Sequence, residues 1–205
     1  MHTSISQRFT QVAPIWLDIL EKGLKPELQY HSIHHVLSVI ERVEFIGTYE
    51  ALETEEVALI KVAALFHDSG FLESPKEHEL KSCEIVRLQL PQYGFTEKEI
   101  NHICDMIMAT KIPQKPLDLM AQVLCDADLD YLGTEDYDGP ANQLRHELQA
   151  MNVAVEPIEW LKLQINFLEN HSFFTNYARA HREPLKKLHL GRLCKQLDRL
   201  SAKQG

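Results

Sequence analysis

The sequence has little glycine and no long apolar run, and both shortages limit the fold. Only 8 of the 205 residues are glycine, and segments in which apolar and polar residues alternate are scarce. Apolar residues instead recur at spacings of three and four through most of the chain, which is typical of amphipathic helices. No stretch approaches the roughly 18 apolar residues of a membrane span. We therefore expect an all-α fold without a membrane-spanning helix.

Positive charge is also in short supply. Lys and Arg number 21 against 30 for Asp and Glu, which gives a formal net charge of −9 with His neutral. A protein that binds polymeric nucleic acid by neutralising its phosphates needs the opposite sign, so we expect no such partner. A small anionic substrate remains compatible with this charge, because a bound cation and a few basic groups can reverse the field inside one cleft.

The cysteine pattern argues against a disulfide framework. The four cysteines show no CxxC spacing and fall in segments with a helical pattern, which favours buried reduced thiols. The first 16 residues lack the basic region and apolar core of a secretion signal. We therefore expect a cytoplasmic protein. The cysteines are Cys83, Cys104, Cys125 and Cys194.

The chain has no internal repeat, low-complexity tract or long linker, so we expect one domain over residues 1–205. Residues 74–77 and 96–99 resemble helix-capping boxes, and Glu156-Pro157 is typical of another helix start. Boundaries read from such signals are approximate. The predicted helices cover residues 6–21, 30–48, 54–68, 75–90, 97–109, 117–132, 139–151, 157–170 and 173–200.

One predicted helix is apolar on nearly all sides and ends in a polar pair, His67-Asp68. Apart from Lys61, its pattern predicts a central position in the bundle. A buried carboxylate is unfavourable unless it is paired or bound to a cation, so Asp68 is a candidate metal ligand. The alternative is that Asp68 extends into solvent at the helix end. The His67-Asp68 pair alone does not decide between these two interpretations.

Three histidines precede that helix, and helical spacing sorts them. His31 and His35 fall on one face with Val39, whereas His34 lies on a polar flank. His31 and His35 are therefore the inward-facing candidates. A histidine on an apolar face is more often a hydrogen-bonded core residue than a ligand, but the nearby His-Asp pair favours ligation.

Three acids interrupt a further apolar segment at residues 123–132. Asp128 aligns with Leu124 and Tyr131 on the more apolar face, which makes it the better candidate ligand. Asp126 and Asp130 are four residues apart on another flank, and we interpret them as solvated.

Taken in order, His35, His67-Asp68 and Asp128 resemble the H…HD…D signature of the HD superfamily of metal-dependent phosphohydrolases. The similarity covers residues 30–132, and helices over residues 139–200 are expected to pack on this core. Residues 30–35 also resemble the YHNxxH opening of many members, including cyclic-nucleotide phosphodiesterases, with Ser32 in place of the usual Asn. The resemblance implies an HD-domain helical bundle.

The resemblance further implies that His35, His67, Asp68 and Asp128 bind one divalent ion. Two imidazoles and two carboxylates suit Mn, Fe, Co, Ni, Zn or, less readily, Mg. Such an ion lowers the pKa of water and polarises phosphate, which implies hydrolysis of a phosphomonoester or phosphodiester, such as a nucleotide or related metabolite. By the same resemblance Asp68 would orient the attacking water and His31 would protonate the leaving oxygen.

His78 resembles the histidine that binds a second ion in two-metal relatives, but Thr110 stands where those proteins usually have another histidine. We therefore expect one tightly held metal. His78 is a candidate for contacting substrate, and the alternatives are a ligand of a second ion or a surface residue. Lys111 and Arg145, and also Lys81, are candidates for neutralising a substrate phosphate.

Two rival functions belong to other classes. A di-iron HD-type oxygenase would need more histidine ligands, so Thr110 counts against it. A catalytically silent module that binds nucleotides or partners would be expected to lack a ligand, whereas all four candidates are present here.

Overall fold

The computed structural model describes residues 3–153 and 156–202, and over these residues the protein is helical with no strand, which confirms the all-α prediction. Three short 3-10 turns, Ser69–Leu72, Leu90–Tyr93 and Asp130–Gly133, follow α3, α4 and α6. The ten helices of the described residues are α1 (Ile5–Gly23), α2 (Ile33–Tyr49), α3 (Thr54–Phe66), α4 (His78–Gln89), α5 (Glu97–Thr110), α6 (Leu119–Asp128), α7 (Asp138–Ala150), α8 (Pro157–Asn170), α9 (Asn176–His181) and α10 (Glu183–Ser201).

Helix α3 lies at the centre of the bundle, as its all-round apolar pattern predicts. It packs against α1, α2, α5 and α6, and its residues from Val57 to Phe66 are buried except for Lys61. The Lys61 ammonium reaches the surface, where it lies 2.8 Å from Glu44 Oε2. Gly47 lets α2 approach closely, because a Cβ there would lie 2.9 Å from Val57 Cγ2. Burial of this apolar helix stabilises the core.

Two of the three helix starts predicted from local signals occur where they are predicted. The Thr96 side chain accepts from the Glu99 N–H at 3.3 Å, and the Glu99 carboxylate accepts from the Thr96 N–H at 2.7 Å, which completes the capping box of α5. Pro157 likewise begins α8.

The predicted start at Ser74 is wrong. Helix α4 begins at His78, after Glu77 in the left-handed region with a φ of 54°. Gly70 explains the shift, because its backbone packs so closely on the backbone of His78 that no Cβ would fit. This contact bends the chain between residues 70 and 78 and delays the helix.

Two other predicted boundaries differ. Helix α2 starts at Ile33 and not at residue 30, so His31 lies in the preceding loop. The segment predicted as one helix over residues 173–200 divides into α9 and α10 at Arg182. The Arg182 guanidinium donates to Asp130 Oδ1 at 2.7 Å, and Gly133 packs against its backbone. These distant contacts set the break.

The remaining sequence expectations concern thiols and membranes. Cys83, Cys104 and Cys125 are buried, Cys194 is half-buried, and all four are free thiols. In residues 3–153 and 156–202, no helix combines the length and apolar character required to cross a bilayer.

Candidate metal centre

Three helices bring the chemically active side chains to one point. His35 projects from the first turn of α2, His67 and Asp68 follow the end of α3, and Asp128 is the last residue of α6. These helices pack on one another pairwise, so the rigid core of the bundle sets the geometry of the cluster. The arrangement follows from the buried position of α3, which carries its terminal polar pair into the interior.

The donor atoms of three of these residues converge. His35 Nε2 lies 3.0 Å from Asp128 Oδ1 and 3.3 Å from His67 Nε2, and His67 Nε2 lies 3.5 Å from Asp128 Oδ1. The three atoms form a group that could hold a metal ion. Imidazole nitrogen and carboxylate oxygen suit first-row divalent metals.

Asp68 adds a fourth donor on the same side. Its Oδ2 lies 3.1 Å from His67 Nε2 and 3.6 Å from His35 Nε2, and it is buried without a hydrogen bond. The alternative that Asp68 extends into solvent is wrong, because the residue is only 4% exposed. A buried carboxylate oxygen in this state is unfavourable without a cation, so the donor set fits a divalent ion.

The tautomer of His67 also fits a ligand role. Its Nδ1 lies 2.8 Å from the carbonyl oxygen of Ala64, which can only accept a hydrogen bond, so Nδ1 carries the proton. In the neutral ring, Nε2 then presents its lone pair to the cluster. Such a backbone contact is the usual way in which proteins orient a histidine ligand.

The carboxylates of the cluster are ionised at neutral pH. Burial opposes ionisation of Asp128, but hydrogen bonds with His35 and His67 lower its pKa to about 2. Burial likewise opposes ionisation of Asp68, and the charge of His67 outweighs it, so the pKa of Asp68 is lowered. Burial also lowers the pKa of His67, yet the Asp68 and Asp128 charges raise it well above its ordinary value. Without a cation the two carboxylates therefore favour a second proton on His67, and a metal ion would take the place of that proton at Nε2.

His31 stands beside the cluster, held by a residue that sequence reasoning missed. Its Nδ1 lies 2.5 Å from Glu147 Oε1, while Glu147 Oε2 accepts from the backbone N–H groups of Tyr30 and His31. The His31 ring stacks on Phe71 with centroids 4.2 Å apart. Burial opposes protonation of His31, but the hydrogen bond to Glu147 and the charge of Asp68 raise its pKa. His31 is thus fixed in position and carries a proton more readily than a free histidine.

The sequence did contain a signal for Glu147. Ala141, Leu144 and Leu148 share one face of α7, and Glu147 falls within this apolar face, where it is buried. A single acid on an apolar helix face indicates a buried partner. The partner itself could not be identified from spacing, because it lies 116 residues away.

His78 and Thr110, the two positions relevant to a second ion, line the same cavity as Asp68. His78 Nε2 lies 3.4 Å from Asp68 Oδ1 and 3.6 Å from Glu79 Oε1. The Thr110 hydroxyl donates to the Ile107 carbonyl at 2.8 Å, so it is engaged within its own helix. His78 is therefore close to the candidate metal centre. Thr110 lies in the cavity wall, and its hydroxyl is already bonded within its own helix.

A cavity of about 410 Å³ opens from this centre toward α7 and α8. Lys111 and Arg145 are not among its lining residues; Lys111 is exposed between the lining residues Thr110 and Ile112. Lys81 pairs with Glu73 at 2.9 Å. Contact of these cations with substrate stays a prediction. The lining comprises Tyr30, His31, Asp68, His78, Glu79, Thr110, Ile112, Asp128, Leu129, Tyr131, Leu132, Tyr137, Ala141, Leu144, Leu148, Trp160, Leu163, Gln164, Asn166 and Phe167.

The interpretation of Asp126 and Asp130 as solvated is wrong. Asp126 is fully buried and accepts from the backbone N–H groups of Phe174 and Thr175, the latter at 2.7 Å, and burial raises its pKa to about 6. Asp130 is also buried and pairs with Arg182. Both acids hold the C-terminal segment on the bundle, which is why they face inward.

Comparison with known proteins supports the fold. No protein-family model and no curated protein matches the sequence. One similar solved structure is a predicted HD superfamily hydrolase from an uncultured Thermotogales bacterium, with 20% identity, a TM-score of 0.56, and coverage of 94% of this chain and 92% of the other. Another is YpgQ of Bacillus subtilis in complex with ADP, with 20% identity, a TM-score of 0.59, and coverage of 92% and 96%. This chain therefore shares its all-helical fold with a protein that is predicted to belong to the HD superfamily, and this is the fold that the motif order predicted.

Proposed function

We propose that the protein is a metal-dependent hydrolase of small phosphate esters. The observation that carries this proposal is the convergence of His35, His67 and Asp128 beside the unsatisfied buried oxygen of Asp68. One similar structure is a predicted HD superfamily hydrolase and another was solved with ADP. These likenesses support hydrolysis and a nucleotide or related metabolite as substrate.

The four residues would hold one divalent ion, of the group Mn, Fe, Co, Ni, Zn or Mg. When bound, the ion would neutralise the carboxylates, polarise the substrate phosphate and lower the pKa of a water molecule. The protein contributes a fixed geometry, since His67 and Asp68 are buried and the half-buried His35 and Asp128 lie on helices that pack on α3. Preorganised charge of this kind accounts for a large share of catalysis in many enzymes.

The residues around the ion would handle the protons. Asp68 presents Oδ2 to the histidines and Oδ1 toward His78, so it can ligate with one oxygen and orient the attacking water with the other. His31, on the same cavity wall, would donate a proton to the leaving oxygen of the ester. Glu147 keeps the His31 ring in place and favours its protonated form.

The experiment is turnover on a panel of phosphomonoesters and phosphodiesters by protein loaded separately with each metal. We expect hydrolysis with at least one metal, and its loss together with bound metal in His67→Ala. The control is His146→Ala, which removes an exposed histidine of α7 and should keep both properties. Metal retention by His67→Ala would refute the site. Oxygen consumption with iron, and no ester hydrolysis, would instead favour the oxygenase.

A further inference from the structure

Positive charge is concentrated in the C-terminal part of the chain. Residues 176–205 contain eight Lys and Arg against two acids, whereas residues 1–175 contain 13 against 28. Helix α10 places three of these cations, Lys187, Lys195 and Arg199, on its exposed face. A protein with a net charge of −9 therefore presents a basic surface along this helix.

The three cations are poorly neutralised within the described part of the chain. Lys187 lies 3.8 Å from Glu183 Oε1, which is long for an ion pair, and its side chain is 70% exposed. Lys195 and Arg199 have no ion pair with any described residue. They are four residues apart on the helix, and like charges at this spacing are destabilising. An anionic partner on this face would remove that repulsion.

Gly191 stands in the same row of the helix, four residues after Lys187 and four before Lys195. Glycine inside a helix is destabilising relative to alanine, and a close packing contact or a left-handed backbone usually explains it. Neither explains Gly191. A Cβ there would meet no atom within 4 Å outside its own stretch of helix, and its φ is not positive. The packing of the described chain therefore does not require the missing side chain.

The missing side chain leaves a shallow groove along α10. The groove has a volume of about 480 Å³, is lined only by residues of this helix and has cations at both ends. Leu188, about one turn before Gly191, lies in the groove and is 68% exposed, so it offers an apolar contact. Because glycine allows another backbone to approach closely, a second helix can cross α10 at this point.

The charge of the rest of the molecule limits what can occupy this face. A wide anionic surface, such as a membrane or a nucleic-acid duplex, would also approach the acidic residues 1–175 and be repelled by them. The same face of a second copy, crossing at Gly191, would place lysine against lysine. A single acidic helix is narrow enough to contact α10 alone.

We propose that the exposed face of α10 binds an acidic helix of another protein, which crosses α10 at Gly191. Carboxylates of the partner pair with Lys187, Lys195 and Arg199, and an apolar side chain beside the crossing packs on Leu188. Exposed ion pairs are individually weak, so the close approach at Gly191 supplies specificity. This surface is separate from the candidate metal centre, whose residues lie on or next to α2, α3 and α6.

The first test is fluorescence anisotropy of the whole protein with a labelled acidic peptide. The peptide has about 16 residues, enough to form a helix, with Glu at every fourth position and one Leu at its centre. We expect saturable binding, about tenfold weaker for a control peptide with Gln in place of Glu. No binding of the acidic peptide, or equal binding of the two peptides, overturns the proposal. Binding to phosphatidylserine vesicles without binding to the peptide also overturns it.

Gly191→Ala separates a role in binding from a role in folding. Alanine favours the helix and its Cβ has room, so the Tm should rise by about 1–3 °C. Peptide binding should weaken about threefold in Gly191→Ala and about tenfold in Gly191→Leu, because the added side chains keep the partner helix away. Unchanged or tighter peptide binding in both variants contradicts a crossing at Gly191.

A charge-reversal variant tests the cations. Lys195→Glu/Arg199→Glu should weaken peptide binding by at least about tenfold. The matched control, Lys25→Glu/Lys98→Glu, makes the same change in net charge at exposed positions outside α10 and should change the affinity by about twofold or less. An equal loss in the two variants shows unspecific attraction and overturns the proposal. A dimer in sedimentation that only Lys195→Glu/Arg199→Glu dissociates would show that a second copy covers this face, which also overturns it.

Discussion

Two aspartates in α6, two positions apart, differ entirely in their surroundings. Asp128 contacts His35 and His67, whereas Asp126 accepts hydrogen bonds from the backbone of Phe174 and Thr175. The first belongs to the candidate metal centre, and the second holds the chain segment before α9. The distinction depends on which way each side chain faces, since the residue type is the same.

Asp128→Asn should lower metal affinity strongly and change the stability of the metal-free protein little. Asp126→Asn should retain metal but lose about 1–3 kcal/mol of unfolding free energy, because its amide would face backbone donors. Metal titration and urea unfolding of both variants check this. A larger loss of metal affinity in Asp126→Asn would show that the register of the motif had been misread.

Glu147 is predicted to position His31 without touching substrate. Glu147→Gln should reduce kcat about tenfold on esters with alkyl leaving groups, which need a proton, and less on p-nitrophenyl phosphate, which does not. KM and metal content should stay nearly constant. The matched control is Glu135→Gln, at an exposed position. A uniform loss on all esters would indicate a purely structural role for Glu147.

At the scale of elements, Arg8 of α1 and Glu99 of α5 join two helices. Arg8 Nη1 and Nη2 donate to the two oxygens of Glu99 at 2.9 and 2.6 Å. The hydrogen bond from Arg8 is the main cause that lowers the pKa of Glu99 from 4.5 to about 2. Because the folded pKa is depressed, this contribution to stability is present above pH 4.5 and is lost as the pH falls toward 2.

Glu99→Gln should therefore be less stable than the unaltered protein at pH 7 by about 1–2 kcal/mol. The difference should shrink between pH 4.5 and pH 2, where Glu99 of the unaltered protein becomes protonated. Urea unfolding at pH 7, 5 and 3 gives the comparison. A difference that grows on acidification would contradict the pKa assignment.

Helix boundaries show which signals are local. The capping box at Thr96 and the proline at position 157 involve neighbours within four residues, and both starts occur as predicted. The delayed start of α4 and the break at Arg182 are set by Gly70 against His78 and by Asp130 against Arg182. Propensity cannot reveal such contacts, because they join residues of different elements, eight and 52 positions apart along the chain.

At the scale of the whole molecule, the metal centre joins α2, α3 and α6. A metal ion that binds only the folded state raises the free energy of unfolding, by about 2.7 kcal/mol when the free metal concentration is 100 times Kd. A chelator should therefore lower the Tm of the metal-loaded protein and leave the Tm of His67→Ala unchanged.

Elemental analysis after dialysis should give one metal per chain. Two retained ions, with His78 as a ligand, would reopen the oxygenase interpretation.

The sequence by itself determined the helical class, most helices and the residues of the candidate metal centre. Helical periodicity, the apolar pattern of α3 and the polar pair at its end are properties of short segments. The motif order predicted an HD-type helical bundle, and the fold likeness to a predicted HD superfamily hydrolase agrees with it. That His35, His67, Asp68 and Asp128 bind metal stays a prediction.

Only the tertiary structure decided the surroundings of that centre. It brought Glu147 to His31 across 116 residues, turned Asp126 toward Phe174 across 48, and left Lys111 and Arg145 out of the cavity lining. The physical reason is that burial and hydrogen bonding depend on every element packed around a side chain. Periodicity specifies the face of a helix, whereas the partner of that face is specified by how the helices pack.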